Sequence, residues 1–284
     1  MMLTNGHEVR VIGMSRSGNH AIIDWLLHQM PGRRCFLNCA EPGQNPFETA
    51  RPLGDQEVCA SNLPGFDLAA ERAGRHQPKD WLVHSYEDVY LRRLAETRET
   101  PGVGGSARRT DLLILRDPFN LFASRRRFGL FERDSGVASY IVTLGTALRI
   151  WKQHARQFLG RRRVLPGRVI PVSYPEWTKS CAYRQSLAAE LGVPFDDARF
   201  ACVPDTAGGS SFDFMACADD AAAMKVHQRW RHYADDPDFR ELFDAETIEL
   251  ARNAFGPMDV AISALGLAPS AAASPAEGAE AVSA

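Results

Sequence analysis

The stretch VIGMSRSGNHAIIDWLL, Val11 to Leu27, leaves few options for how the chain around it folds. EVRVIGM reads as a buried strand. Gly13 and Gly18 bracket a four-residue turn, and NHAIIDWLLHQM resumes with Ile22, Ile23, Leu26, Leu27 and Met30 on one helical stripe. A strand, a tight glycine turn and a helix bring backbone N–H groups and the positive helix end toward one point, where an anion can sit. A magnesium nucleotide would also need a Lys and a Ser/Thr just after the second glycine. Asn19 and His20 occupy those positions, and the cation in the turn is Arg16. The turn therefore fits an anion held without a metal ion. Close packing of strand on helix is the plainer explanation of such a turn taken alone.

The rest of the chain repeats the alternation. RCFLN and WLVHSY (Trp81 to Tyr86) read as strands, and EDVYLRRLAETRE as a helix. PGVGGSARR reads as a loop punctuated by Gly and Pro. DLLILRD has the continuous apolar character of a strand buried on both faces. Pro118 then marks a helix N-terminus, where its missing N–H costs nothing. A helix is expected over about Ala138 to Leu159, a core strand at GRVIPVSY, and a mostly helical last third interrupted at TAGGSSFDF. This order predicts an α/β protein: a three-layer α/β/α, P-loop-like fold with a mainly parallel central sheet. One domain is expected over residues 1–267, followed by a disordered Ala/Ser/Pro/Glu-rich tail over 268–284.

Composition narrows the class of partner. With 45% apolar residues, 24% charged residues and a net charge of -2, the chain gives no reason to expect nucleic-acid binding. Its six cysteines form no C-x-x-C pair and no zinc spacing, so reduced thiols and a cytoplasmic location are expected. The N-terminus leads directly into the first strand with no apolar signal segment, and no run of roughly 18 apolar residues suggests a membrane span. Two basic clusters stand out, SRRRF at Ser124 to Phe128 and GRRRVLPGR at Gly160 to Arg168. Oligomeric state has no signature.

A second motif adds weight to the first. In LLILRDPFNLFASRRR, Arg116 leaves the tip of a core strand and Ser124 follows two turns into the next helix. A strand-tip arginine in a parallel sheet faces the same edge as the glycine turn. Its bidentate fork and a serine hydroxyl suit a terminal phosphate dianion. The chain thus offers two anion clamps on one sheet edge.

The pair of motifs, in this order and about 100 residues apart, resembles the sulfotransferases that use 3′-phosphoadenosine 5′-phosphosulfate (PAPS). SRSGNHAIIDWL is similar to their first motif and RDPFNLFAS to their second. The resemblance assigns Arg16, Ser17, Gly18, Asn19 and His20 to the 5′-phosphosulfate, and Arg116 and Ser124 to the 3′-phosphate. Asn19 and His20 depart from the two hydroxyl residues that many members carry there. GGSSF is similar to a later segment that closes over the adenine and 3′-phosphate, which adds Ser210, Ser211 and Phe212. Of Lys225, Arg229 and Arg231 in MKVHQRWRHY, Arg229 is the one expected to reach the cosubstrate. Ordinary loop and helix-surface roles are the plain alternatives for these late residues. The implied activity is transfer of a sulfuryl group to an acceptor hydroxyl, by analogy that of a carbohydrate, with no metal. A nucleotide kinase or NTPase is disfavoured by the missing Lys-Ser/Thr. A degenerate binding protein of the same fold is the non-enzymatic alternative.

Transfer to an alcohol needs a base and positive charge on the departing phosphate. Arg16 is expected to supply the charge. VHSYED places two candidate bases near a strand tip, His84 and Glu87. An unperturbed histidine suits the role of base at neutral pH, but strand alternation also allows His84 to be an interior histidine.

Overall fold

The computed structural model describes residues 3–52, 58–130, 143–198, 200, 212 and 224–267. The tail expected over 268–284 lies outside the described residues, as do Ser210 and Ser211.

Among the described residues, six strands form one sheet: β1 (Leu3–Gly13), β2 (Arg34–Leu37), β3 (Cys59–Ser61), β4 (Lys79–Glu87), β5 (Gly105–Leu115) and β6 (Arg168–Ser173). Their order across the sheet is β3-β2-β4-β1-β5-β6. Every pairing is parallel except β2 with β3, so the sheet is mainly parallel with one antiparallel edge. The helices are α1 (Asn19–Gln29), α2 (Pro46–Thr49), α3 (Leu68–Arg72), α4 (Leu91–Ala95), α5 (Pro118–Arg127), α6 (Leu144–Phe158), α7 (Tyr174–Lys179), α8 (Cys181–Leu191), α9 (Pro237–Arg240), α10 (Ala245–Phe255) and α11 (Asp259–Ala264). A 3₁₀ turn covers Arg229–Tyr233. None of the described helices is long and apolar enough to cross a membrane.

Strand alternation divides the core. Val9, Val11, Val83, Leu112, Ile114, Ile170 and Val172 turn to one face, where they pack with Ile22, Ile23 and Leu26 of α1 and with Leu187 and Leu191 of α8. Ile12, Tyr86 and Leu113 turn to the other face, toward Leu91 and Leu94 of α4. A third apolar cluster joins α5, α6 and α10 through Phe119, Phe122, Trp151 and Leu250. Helices on both faces of a mainly parallel sheet are the three-layer α/β/α arrangement expected from the order of elements.

Some segments differ from the expectations. Gly105–Arg109, within the expected loop PGVGGSARR, is the first half of β5 and pairs with the start of β1 across an irregular register at Leu3 and Asn5. Pairing to a distant strand overrides the local glycine signal there. β4 runs on through Glu87, and the helix after it is only α4. The helix expected from about Ala138 is described from Leu144, where Thr143 caps its first turn. Pro118 does start a helix, with Asp117 as N-cap accepting from the amide of Asn120 at 2.9 Å.

The interior contains neutral histidine. His154 on α6 is 0% exposed and shares Nε2 with the carbonyl of Val89 at 2.9 Å. Burial lowers its pKa from 6.5 to about 4, with the Val89 hydrogen bond opposing. The unfolded chain takes up a proton below about pH 6.5 that the folded chain refuses until about pH 4, so stability falls as pH drops through that window. Between pH 7 and pH 5 the native protein is expected to lose about 2 kcal/mol more than His154→Gln does. Denaturant titrations at the two pH values measure this, and parallel losses would exclude His154 as the source.

Candidate functional site

The parallel strands β1, β4 and β5 end side by side at Gly13, Glu87 and Leu115. The first loop rises from the middle of this edge. Gly18 has φ +88, and a Cβ there would lie 2.1 Å from the ring of Tyr174, so both the conformation and the approach of α7 require glycine. A Cβ on Gly13 would meet Asn19 Oδ1 at 2.2 Å. The turn is closed by the amide of Ser17 donating to the Met14 carbonyl at 2.9 Å, and the amide of Met14 donates to Ser17 Oγ at 3.3 Å. Arg16 adopts φ +73, an uncommon conformation for a residue with a side chain.

Asn19 joins the loop to β4. Its Nδ2 donates to the Met14 carbonyl at 3.0 Å and to Glu87 Oε1 at 2.7 Å, and its buried Oδ1 has no hydrogen-bond partner among the described residues. His20 Nε2 lies 3.1 Å from Asn38 Oδ1 beyond the end of β2. The two residues after Gly18 are thus both engaged: Asn19 orients Glu87, and His20 bonds Asn38.

The second motif meets the first directly. Arg116 is 2% exposed; its Nη1 donates to the carbonyl of Arg16 at 2.9 Å and its Nη2 to that of Val226 at 2.8 Å. The guanidinium lies over the Tyr174 ring at 4.9 Å, and its buried Nε has no partner among the described residues. Ser124, fully buried on α5, accepts from Arg229 Nη1 at 3.0 Å. The amide of Arg229 is held by Asn120 Oδ1 at 2.8 Å, and its guanidinium lies 5.2 Å from the centre of the Phe212 ring. Arg116 and Ser124 therefore converge on one segment, Val226 to Arg229. Of the three late cations, the structure brings Arg229 to this place and leaves Lys225 and Arg231 exposed.

Positive charge accumulates at this edge. The pKa of Arg16 falls from 12.5 to about 10, first through burial and then through repulsion by Arg116 and Arg125, while Glu87 opposes. Its guanidinium lies 4.6 Å from the ring centre of Phe128, which is 48% exposed. Several cations close together, with a donor on Arg116 unpaired among the described residues, favour a polyanionic ligand over a neutral one. Among the described residues, no group of three or more His, Cys, Asp or Glu side chains is placed to hold a metal ion.

The two candidate bases separate. Glu87 lies at the sheet edge opposite Gly13, half-buried and bonded to the loop through Asn19. His84 lies three residues earlier, roughly 10 Å down the strand, and an odd separation puts it on the opposite face. It is 0% exposed, with Nε2 3.2 Å from Glu8 Oε1 and its ring edge-on to Tyr86. Burial of Glu8 works against its charge, but hydrogen bonds from His84, Thr100 and Ser106 prevail and hold its pKa at about 2. The expectation that His84 reaches the reacting group thus gives way to an interior role: it is occupied by a buried carboxylate on the far side of the sheet.

Asp88, Asn120, Arg125 and Tyr174 also belong to this edge and carried no site signal in the sequence beyond proximity to the motifs. Arg125 sits inside the basic run that follows Ser124, and Tyr174 directly follows the last core strand.

No protein-family model and no curated protein matches the chain. Among solved structures it is similar to mouse sulfotransferase SULT7A1 complexed with PAP, at 13% sequence identity and a TM-score of 0.42, over 92% of this chain and 89% of that one. A likeness of that size assigns neither fold nor activity by itself.

Proposed function

We propose that the protein is a sulfotransferase that takes its sulfuryl group from 3′-phosphoadenosine 5′-phosphosulfate and delivers it to a hydroxyl. The observation that carries this reading is the contact between the two cradles: Arg116 donates to the backbone of Arg16 across 100 residues of sequence. Two anion sites joined in this way suit one ligand with a phosphate at each end. The missing Lys-Ser/Thr argues against a magnesium nucleotide in the same place.

The residues divide by position. The amides of the first loop, with Ser17, Gly18, Asn19 and His20, hold the 5′-phosphosulfate, and Arg16 faces the phosphate oxygen on which charge builds as the sulfur–oxygen bond breaks. Arg116, Ser124 and Arg229 hold the 3′-phosphate. Phe212, beside Arg229 and 4.8 Å from the His232 ring, is the aromatic surface for the adenine. Ser210 and Ser211 remain assigned to that end by resemblance alone. Glu87 accepts the acceptor's proton, oriented by Asn19. The acceptor class to test first is a carbohydrate hydroxyl, again by resemblance.

A thermal-shift series tests the cosubstrate. Adenosine 3′,5′-bisphosphate without magnesium is expected to raise the melting temperature by several degrees at about 100 times its dissociation constant. ATP with magnesium is expected to leave it unchanged. The reverse order would favour a nucleotide kinase or NTPase. Bisphosphate binding with no transfer of labelled sulfate to any acceptor would favour a binding protein.

A further inference from the structure

We infer that Asp88 and Arg125 are a positioning pair that locks the first loop, Met14 to Gly18, in its anion-binding conformation before any ligand arrives. Ser15 is gripped from both sides. Its amide donates to Asp88 Oδ1 at 3.3 Å, and its carbonyl accepts from Arg125 Nη1 at 3.2 Å. The same Nη1 reaches both oxygens of the Asp88 carboxylate, at 2.8 and 2.9 Å. The chain bends to make this possible: Asp88 has φ +54, and its amide donates to the Gly13 carbonyl at 3.2 Å. A left-handed aspartate immediately after the tip of β4 swings the carboxylate under the loop.

Two further facts separate this pair from an ordinary ion pair. Arg125 is 0% exposed, and its Nε and Nη2 have no partner among the described residues. Burying a guanidinium with two unused donors is costly, so global stability alone is a poor reason for it. The residue it fixes precedes Arg16, whose positive φ persists only where the surroundings over-determine it. Holding the peptide groups on both sides of Ser15, the first by its N–H and the second by its C=O, does that. Ser124 and Arg125 are also adjacent on α5, one bonded to Arg229 and the other to Ser15. One helix turn thereby sets the separation of the two cradles. The consequence for ligand binding rests on the sulfotransferase reading, whereas the ordering of the loop does not.

The test uses the full chain and two readouts. Hydrogen exchange of the Met14–Asn19 segment is measured without ligand. Affinities are measured for adenosine 3′,5′-bisphosphate and for adenosine 3′-monophosphate, which lacks the group the loop holds. Asp88→Asn alone strands a buried cation, so the double variant Asp88→Asn/Arg125→Met, which removes both charges, is the main probe. Arg125→Lys, which keeps the charge and shortens the reach to Ser15, is the second. In both, loop exchange is expected to accelerate at least about tenfold while core amides keep their protection. Bisphosphate affinity is expected to drop about 10- to 100-fold, with the 3′-monophosphate within about twofold of native. Native loop protection in a folded double variant would overturn the proposal, as would equal losses for the two ligands. If the native protein bound neither ligand, the sulfotransferase reading would fail, and the exchange measurement would still decide the role of the pair.

Discussion

Arg116→Ala is expected to weaken binding of adenosine 3′,5′-bisphosphate by about 100-fold, close to 3 kcal/mol, the scale of removing a bidentate charge-assisted hydrogen bond from a buried site. The guanidinium is 2% exposed, has an Nε without a partner among the described residues and bonds the carbonyls of Arg16 and Val226. Its loss therefore removes the proposed 3′-phosphate donor and also unties the first loop from the Val226 segment. Arg116→Lys restores the charge without the fork and is expected to recover only part of the affinity. Arg16→Ala is expected to behave differently. In the proposed reaction its guanidinium serves charge that grows during transfer, so kcat is expected to fall further than cosubstrate affinity. Calorimetric titration of the bisphosphate, paired with turnover at saturating PAPS, separates the two effects. An Arg116→Ala protein with native affinity would place the 3′-phosphate elsewhere.

Glu87→Gln is expected to lower kcat by about 10²- to 10⁴-fold, the range for loss of a general base, with bisphosphate affinity nearly unchanged. Glutamine retains an oxygen to accept the Asn19 bond, so the loop keeps its anchor while the proposed proton acceptor is gone. His84→Gln serves as the comparison. It disturbs the bond to Glu8 and so costs folding stability, but it lies on the opposite face and should leave kcat at saturating substrate within a few-fold of native. Full turnover in Glu87→Gln together with a dead His84→Gln would reverse the assignment.

The contrast between Glu87 and His84 shows where reading the chain alone stops. Alternation along VHSYED puts the two on opposite faces. Which face meets the glycine loop depends on how β4 registers against β1, and only the pairing of Glu87 with Gly13 answers that. The same holds for PGVGGSARR. Its glycines indicate a loop locally, yet Gly105–Arg109 pairs with the first residues of β1. β3, three residues long, was too short to show any periodicity. Asp88 and Arg125 were invisible for a related reason: each is an ordinary charged residue in its own segment, and their joint grip on Ser15 appears only when β4, α5 and the first loop are brought together.

The amino-acid order by itself determined the layered α/β architecture, the glycine turn after the first strand and the arginine at the tip of another. These depend on local periodicity and on residue types that admit few backbone conformations. The tertiary structure alone decided which carboxylate stands at the loop, which late arginine meets Ser124 and what holds Arg16 in a left-handed conformation. Those outcomes depend on interactions between residues tens to more than a hundred positions apart. Such interactions follow from strand register and helix packing, which no local pattern encodes.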